Sequence, residues 1–191
     1  MEVVLQSVAS KLDNNTIRIL ANDISREFEN KAKVCVGTTV GLQADPQFQS
    51  AFDTKRNQWY SPKLLVWFFE QFRPNKDTKV LFILDVDAYS DGLNYVLGEA
   101  YPKGGLGIIY LPRIRQEFYG LKPDNEIFYN RMVNESVHEL GHVFGFGHCQ
   151  NPICVMHFSN SLADTDTKGR SFCSSCKDKY FKLLVEHMKK Y

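Results

Sequence analysis

The chain has 191 residues, of which 43% are hydrophobic and 24% are charged, and its formal net charge is +1. This length suits one compact domain with a sizeable core, and the composition excludes disordered and fibrous proteins. A nearly neutral chain without a basic run has no electrostatic footprint for nucleic acid, so no nucleic-acid partner is expected.

The sequence also carries no signal of export or membrane insertion. The apolar run near the N-terminus is too short for a signal-peptide core, and the longest apolar stretch, residues 64–69, is far shorter than the roughly 20 residues of a membrane helix. We therefore expect a cytoplasmic protein with no membrane partner. Since no feature indicates oligomerisation, we expect a monomer.

Up to about residue 114, apolar runs alternate with segments of helical period, which predicts an α/β (α+β) fold with a mixed, twisted sheet and crossover helices. The predicted strands are residues 3–8, 32–36, 79–85, 94–100 and 105–111. A turn containing Pro and Gly joins the last two strands, so they are expected to form a hairpin. One helix is predicted from the spacing of Ile17, Leu20, Ile24 and Phe28, and another with Ser61 as its N-cap and Pro62 as its first residue.

The last third of the chain begins with a long helix that is predicted to start near Asp124. Four apolar residues fall on one side of this helix, which is predicted to face the core: Val133, Val137, Leu140 and Phe144. An irregular segment rich in Gly, Asn, Ser, Cys and His follows at residues 145–176. A closing helix is predicted to run to Tyr191.

Two histidines on the long helix, His138 and His142, are four residues apart, so their imidazoles lie one turn apart and both can reach one metal ion. Glu139 lies near that face, where its carboxylate can contact water on the metal and act as a base. Gly145 can adopt the left-handed conformation that ends a helix, so the chain can turn back and deliver His148 as a third ligand. Three imidazoles leave one tetrahedral position open, as in a catalytic zinc site. The alternative is ordinary histidines at a chance spacing, against which the longer pattern with Gly145 and His148 argues.

This motif, with a methionine downstream, resembles that of the metzincin clan of metallopeptidases: His138-Glu139-x-x-His142-x-x-Gly145-x-x-His148 and Met156. Four cysteines make it similar to one family of the clan, the archaemetzincins: Cys149, Cys154, Cys173 and Cys176. The resemblance implies that Met156 is the residue of the Met-turn, whose thioether lies beneath the imidazoles without binding the metal. It also implies an edge strand along the upper rim of the cleft, antiparallel to a bound peptide, for which residues 94–100 are our candidate.

The four cysteines form two short pairs, Cys149 with Cys154 and Cys173 with Cys176. Two such pairs are a common way to build a tetrahedral structural zinc site. The alternatives are two disulfides, against which the expected reducing compartment argues, or cysteines that are merely buried. A second zinc ion here would fix both ends of the turn that carries His148 and Met156. We therefore expect two zinc ions per chain, one catalytic and one structural.

Together these features predict a zinc metallopeptidase that hydrolyses peptide bonds of peptide or protein substrates through a zinc-bound water activated by Glu139. One alternative is a zinc-stabilised binding module that recognises nucleic acid or a partner protein. Another is a zinc hydrolase that acts on a non-peptide substrate. We expect residues 1–191 to form one catalytic domain, with an N-terminal subdomain of about residues 1–147, including the active-site helix, and a smaller C-terminal subdomain of about residues 148–191.

Overall fold

A computed structural model of the chain describes residues 2–8, 12–37, 45–179 and 182. The eight strands within this part are β1 (Glu2–Val8), β2 (Lys33–Val36), β3 (Phe52–Asp53), β4 (Gln58–Tyr60), β5 (Thr78–Leu84), β6 (Ala88–Tyr89), β7 (Gly98–Tyr101) and β8 (Leu106–Tyr110). The α-helices with assigned bounds there are α1 (Asn14–Glu27), α2 (Pro46–Gln49), α3 (Ser61–Phe72), α4 (Asn125–Val143) and α5 (Leu162–Thr167). Residues 174–179 are also helical, and the rest of the predicted closing helix, except residue 182, lies outside the described residues.

The main sheet has five strands in the order β2-β1-β5-β8-β7. The first four strands in this order are parallel to one another. The fifth, β7, is antiparallel to β8 and forms an edge of the sheet. The predicted mixed sheet and the hairpin of its last two strands are thus confirmed. A second sheet, β3-β4-β6, was not predicted, because strands of two or three residues show no periodicity in a sequence.

Helices cover both faces of the main sheet. Successive residues of a strand point to opposite faces, so Leu81 and Ile83 belong to one buried cluster, and Phe82 and Leu84 belong to the other. Helices α1 and α4 pack on the first face, and α3 packs on the second. The four spaced residues that predicted α1, Ile17 to Phe28, are all buried in the first cluster. This arrangement places α4 against β8 and the edge strand β7.

Two local predictions were wrong. The predicted strand 94–100 begins only at Gly98, because the Val96 N–H donates to the Ala88 carbonyl of the second sheet instead of continuing β7. Ser61 is the first residue of α3 and not its N-cap, since Tyr60 precedes the helix with extended backbone. The Ser61 hydroxyl accepts a hydrogen bond from the buried Tyr110 hydroxyl, at 2.6 Å.

Helix α4 follows its prediction closely. Asp124 caps it: the carboxylate accepts hydrogen bonds from the backbone N–H groups of Glu126 and Ile127, at 3.0 and 2.9 Å. The predicted core-facing residues Val133, Val137 and Leu140 are fully buried, and Phe144 is partly buried against the same cluster. In the part of the chain that the structure describes, no helix is both long and apolar enough to cross a bilayer.

Replacing the capping residue should test how much the active-site helix depends on its N-terminus. We expect Asp124→Ala to lower the free energy of unfolding by about 1 kcal/mol, because two N–H groups lose their acceptor. Urea denaturation followed by circular dichroism measures this change. Asp124→Asn, which retains a side-chain acceptor, is the control and should cost less; an equal loss in both variants would contradict the capping role.

Candidate metal centre and active-site cleft

The three predicted metal-binding histidines converge at the C-terminal end of α4. His138 and His142 lie one turn apart on the helix, and their Nε2 atoms are 3.1 Å from each other. The His148 ring lies with its centroid 5.5 Å from that of His138 and 4.8 Å from that of His142. One ring nitrogen from each residue lies within 4.8 Å of the others. The three histidines of the sequence motif therefore form one cluster in the structure.

Backbone carbonyls orient the two helical imidazoles. Nδ1 of His138 lies 2.7 Å from the Val155 carbonyl oxygen, and Nδ1 of His142 lies 2.8 Å from that of Phe146. A carbonyl oxygen only accepts, so each Nδ1 carries the proton and each Nε2 presents its lone pair. Two lone pairs that face each other repel unless a cation lies between them. This is the donor arrangement of a metal site in which carbonyls fix the ligand tautomer.

The end of α4 delivers His148. Gly145 has a φ of 92°, which is in the left-handed region that favours glycine. Its N–H donates to the carbonyl of His142 at 2.9 Å, and the next N–H, of Phe146, donates to the carbonyl of Gly141 at 3.0 Å. This pair of bonds is a Schellman motif, which reverses the chain after a helix. Gly145 therefore adopts the conformation that its position in the motif predicted.

The geometry of the histidines fits zinc. Nitrogen ligands about 2.0–2.1 Å from zinc at tetrahedral angles lie about 3.3–3.4 Å apart, close to the 3.1 Å between the two helical Nε2 atoms. Burial lowers the pKa of His138, with a further contribution from the Lys168 ammonium, and burial also lowers the pKa of His142 and His148. The imidazoles are consequently neutral at pH 7, as metal ligands must be. Zinc in this cluster would have three protein ligands.

Glu139 lies beside the histidines with a carboxylate that is almost completely buried, at 5% exposure. Within the described residues, no donor forms a hydrogen bond to this carboxylate. Burial, together with the nearby Glu135 carboxylate, raises the pKa of Glu139 well above its usual range. A carboxylate in this environment takes up a proton readily, which is the property of a general base near neutral pH.

Two glycines make room for the site. A Cβ atom on Gly98 of β7 would lie 2.6 Å from both Cγ and Oε1 of Glu139, so the Glu139 side chain packs directly on the backbone of the edge strand. A Cβ atom on Gly141 would collide with Sδ of Met156, which is fully buried. The Met156 thioether thus lies against α4 in the turn between its two histidines. This is the position expected of an apolar floor, which is the role that the resemblance implied for Met156.

The four clustered cysteines also come together. Their sulfur atoms lie within 4.8 Å of one another, and Sγ of Cys149 is 3.8 Å from Sγ of Cys173. Backbone N–H groups donate to two of the sulfurs: that of Asn151 to Cys149 at 3.4 Å, and that of Cys173 to Cys154 at 3.3 Å. All four are free thiols, so the two predicted pairs are not disulfides.

The chemistry of this cluster fits zinc as well. Sulfurs about 2.3 Å from a tetrahedral zinc ion lie about 3.8 Å apart, which matches the observed distance between Cys149 and Cys173. Burial raises the pKa of the Cys154 thiol, and burial with the adjacent sulfur of Cys154 raises that of Cys176. At Cys173, burial is outweighed by hydrogen bonds from the Cys176 N–H and the neighbouring thiols, which lower the pKa of its thiol. A cation in the cluster would compensate the charge of the ionised sulfurs. The turn that carries the third histidine ends here, since the Cys149 N–H donates to the Met156 carbonyl at 2.8 Å.

The histidines line a cleft of about 430 Å³. The edge strand β7 forms one wall, and residues 158–161 form the other. In the antiparallel pairing of β7 with β8, the Tyr110 N–H donates to Leu97, so hydrogen-bonded positions alternate with open ones along the strand. The N–H and C=O groups of Gly98 and Ala100 therefore point away from β8, toward the open edge. This edge can accept an extended peptide as an additional strand.

Glu135 and Lys168 of the cleft were not predicted, and neither was the contact of Gly98 with Glu139. Glu135 lies one turn before His138 on the same helix, a spacing that could have identified it. Lys168, a buried lysine, forms an ion pair with Glu135 at 3.2 Å, and it comes from a distant part of the chain. The sequence gives no signal of the position of Lys168 or of the contact between Gly98 and Glu139, because both depend on the packing of separate elements.

Comparison with known proteins gives likenesses along nearly the whole chain. A model of peptidase family M54 matches residues 1–182. The archaemetzincin of Pyrococcus abyssi is 38% identical over 186 residues, which cover 97% of this chain and 97% of that protein. The crystal structure of archaemetzincin from Archaeoglobus fulgidus has 32% identity and a TM-score of 0.74, with 94% of this chain and 99% of that chain covered. That of a zinc-dependent peptidase from Methanocorpusculum labreanum has 28% identity and a TM-score of 0.80, with 93% and 99% covered.

These findings agree with the motif, the mixed sheet and the cysteine cluster. They do not favour a zinc-stabilised binding module or a zinc hydrolase for non-peptide substrates. The chain belongs to peptidase family M54, the archaemetzincins, and is a zinc-dependent metallopeptidase.

Proposed function

We propose that His138, His142 and His148 bind the catalytic zinc ion and that Glu139 is the general base of peptide hydrolysis. The observation that carries this proposal is the convergence of three neutral imidazoles beside a buried carboxylate without a hydrogen-bond donor in the described part of the chain. Zinc bound there would act as a Lewis acid toward the scissile carbonyl and toward water. Glu139 accepts the proton of the attacking water and transfers it to the leaving amine.

The substrate binds as an extended chain along β7. The outward N–H and C=O groups of Gly98 and Ala100 form main-chain hydrogen bonds to it, in the manner of an added strand. Because Gly98 also packs on Glu139, this strand aligns the scissile bond with the base. The edge strand was predicted at residues 94–100, and the part that we propose to bind the substrate is β7, Gly98–Tyr101.

A second, structural zinc ion binds Cys149, Cys154, Cys173 and Cys176. Two observations support it: the sulfur spacing and the backbone N–H groups that donate to two of the sulfurs. The chain thus holds two zinc ions. The role of this second ion is to fix the turn from His148 to Met156, in which Cys149 and Cys154 lie.

Residues 1–191 form one catalytic domain with the subdomains at about residues 1–147 and 148–191, because Val155, Met156 and Phe172 are buried in the same cluster as α1 and α4. The protein acts as a monomer in the cytoplasm on peptides or proteins, without nucleic-acid or membrane partners.

Glu139→Gln tests the base. We expect the zinc content to be unchanged and kcat for a cleavable peptide to fall by about 10²- to 10⁴-fold, since the amide cannot accept the proton. A fluorogenic peptide library with and without chelator measures the activity, and metal analysis measures the zinc. Glu126→Gln, an exposed carboxylate on the same helix, is the matched control. Undiminished hydrolysis by Glu139→Gln would remove Glu139 from the mechanism.

Gly98→Ala tests the alignment of the base by the edge strand. The added methyl group should displace the Glu139 carboxylate and lower kcat/KM by about 10²-fold, with the zinc content unchanged. Gly107→Ala is the control, because its Cβ atom would meet neighbours at ordinary distances of 3.4 Å or more. If both variants hydrolyse peptides alike, Gly98 does not position Glu139.

Cys173→Ser tests the structural metal site. We expect the zinc content to fall by one ion per chain and the melting temperature to decrease, because three sulfurs hold zinc more weakly than four. Cys35→Ser, which changes a thiol outside the cluster, should leave the zinc content unchanged. An unaltered content in Cys173→Ser would refute the four-cysteine site.

A further inference from the structure

The buried ion pair between Lys168 and Glu135 lies in the wall of the cleft next to the histidines. The Lys168 side chain is 1% exposed and that of Glu135 is 5% exposed, and Nζ lies 3.2 Å from Oε1. Nζ is also 3.5 Å from Nδ1 of His138. Buried ionised groups are costly unless they are fully hydrogen-bonded, so this pair requires an explanation.

Helix α4 holds the segment that carries Lys168. The Asn134 side-chain amide donates to the carbonyls of Thr165 and Lys168, at 3.1 and 3.4 Å. One turn earlier, Arg131 forms two hydrogen bonds of 2.6 Å to the Asp166 carboxylate. The ammonium group is therefore fixed in the wall rather than free to move into solvent.

The ammonium group has more donors than partners. It carries three N–H donors, and within the described residues its one acceptor is Oε1 of Glu135. His138 does not serve as a second acceptor, because its Nδ1 donates its own proton to the Val155 carbonyl. Two donors of Lys168 thus remain for a group that enters the cleft.

Glu135, in contrast, has a hydrogen-bond acceptor that no donor in the described residues uses. Lys168 and the Thr165 hydroxyl both bind Oε1, at 3.2 Å each. In the part of the chain that the structure describes, Oε2 has no hydrogen-bond partner. The buried hydroxyl of Ser159, in the same cleft, has no partner there either. The wall consequently presents unused donors and an unused acceptor side by side.

We propose that Lys168 and Glu135 form a side-chain subsite that selects a carboxamide, the side chain of Asn or Gln, in the bound peptide. A carboxamide offers a carbonyl oxygen to the Lys168 donors and an N–H₂ group to Glu135. This inference rests on the proposed function, since it takes the histidine-lined cleft as the site of peptide binding.

The charges of the pair exclude other side chains. The pair is neutral as a whole. An acidic side chain is therefore attracted by Lys168 but repelled by Glu135, and a basic side chain is attracted by Glu135 but repelled by Lys168. An apolar side chain leaves the unused donors and the acceptor without partners, which costs binding free energy. A neutral group with both a donor and an acceptor forms hydrogen bonds with both Glu135 and Lys168.

Peptide binding to zinc-loaded Glu139→Gln tests the subsite without turnover. Alanine-based peptides that carry Gln, Glu or Met at one position in turn are titrated by calorimetry. We expect one position at which the Gln peptide binds at least about 10-fold more tightly than the Glu and Met peptides. Equal affinities at every position, or a preference for Glu or Met, would overturn the proposal.

Two variants of the pair and one control variant in the same background test whether the pair causes the preference. Lys168→Met with Glu135→Leu removes both charges together, so no lone charge stays buried, and should abolish the Gln preference. Lys31→Met with Glu29→Leu, a surface pair, should retain it. Glu135→Gln keeps Lys168 without its counter-charge and should shift selection toward the Glu peptide by about 10-fold. A Gln preference that survives in both variants of the pair would exclude the pair as its source.

The outcomes also separate this proposal from the general one. If Glu139→Gln binds the Gln peptide selectively but the wild-type chain hydrolyses no peptide, the subsite stands and the assignment of Glu139 and the histidines fails. If the wild-type chain hydrolyses peptides in a chelator-sensitive manner without any side-chain preference for Gln or Asn, the general proposal stands and the subsite fails.

Discussion

The structure depends on one constraint: a helix that is buried on nearly every side must find partners for its ionisable and amide side chains, although the small Ser136 hydroxyl has none in the described residues. Helix α4 buries Arg131, Asn134, Glu135, His138 and Glu139 along with its apolar residues. Unpaired polar groups are costly in such surroundings, so the first four each bind a side chain or a carbonyl from a segment that follows the helix. Glu139 lacks a hydrogen-bond donor in the described residues, and we propose that the attacking water is its partner.

This constraint links the fold to the site. Apolar residues of α4 fix the helix on the sheet, and its polar residues then fix the chain between Val155 and Lys168 on the helix. The same segment supplies one wall of the cleft, and the edge strand supplies the other. The position of the cleft relative to the histidines is thus set by the packing of one helix rather than by separate loops. The cysteine cluster adds a fixed point at the turn where the third histidine enters.

Much of this was accessible from the sequence, and the reason differs between elements. Apolar runs predicted four strands of the main sheet to within one residue at each end, whereas the edge strand begins four residues later than predicted. The sequence also predicted α4 from its cap onward, and the spacing of His138, His142 and His148 predicted their convergence. The short second sheet was missed because two or three residues carry no period. Ser61 was misassigned because its hydroxyl bonds Tyr110 across the core, a contact that local sequence does not encode. The pairing of Glu135 with Lys168 was likewise invisible, since it joins residues from separate elements.

The open edge of β7 has a consequence for the substrates that this peptidase can attack. A strand edge recognises main-chain groups that are free and extended, whereas helices and paired strands have already used theirs. With the substrate bound along β7 as we propose, the helices and paired strands of a folded protein become available only after it opens locally, and their cleavage follows the population of the opened form. The conformational state of a target then matters before any side chain is compared, and destabilised chains, flexible loops and short peptides are the expected substrates.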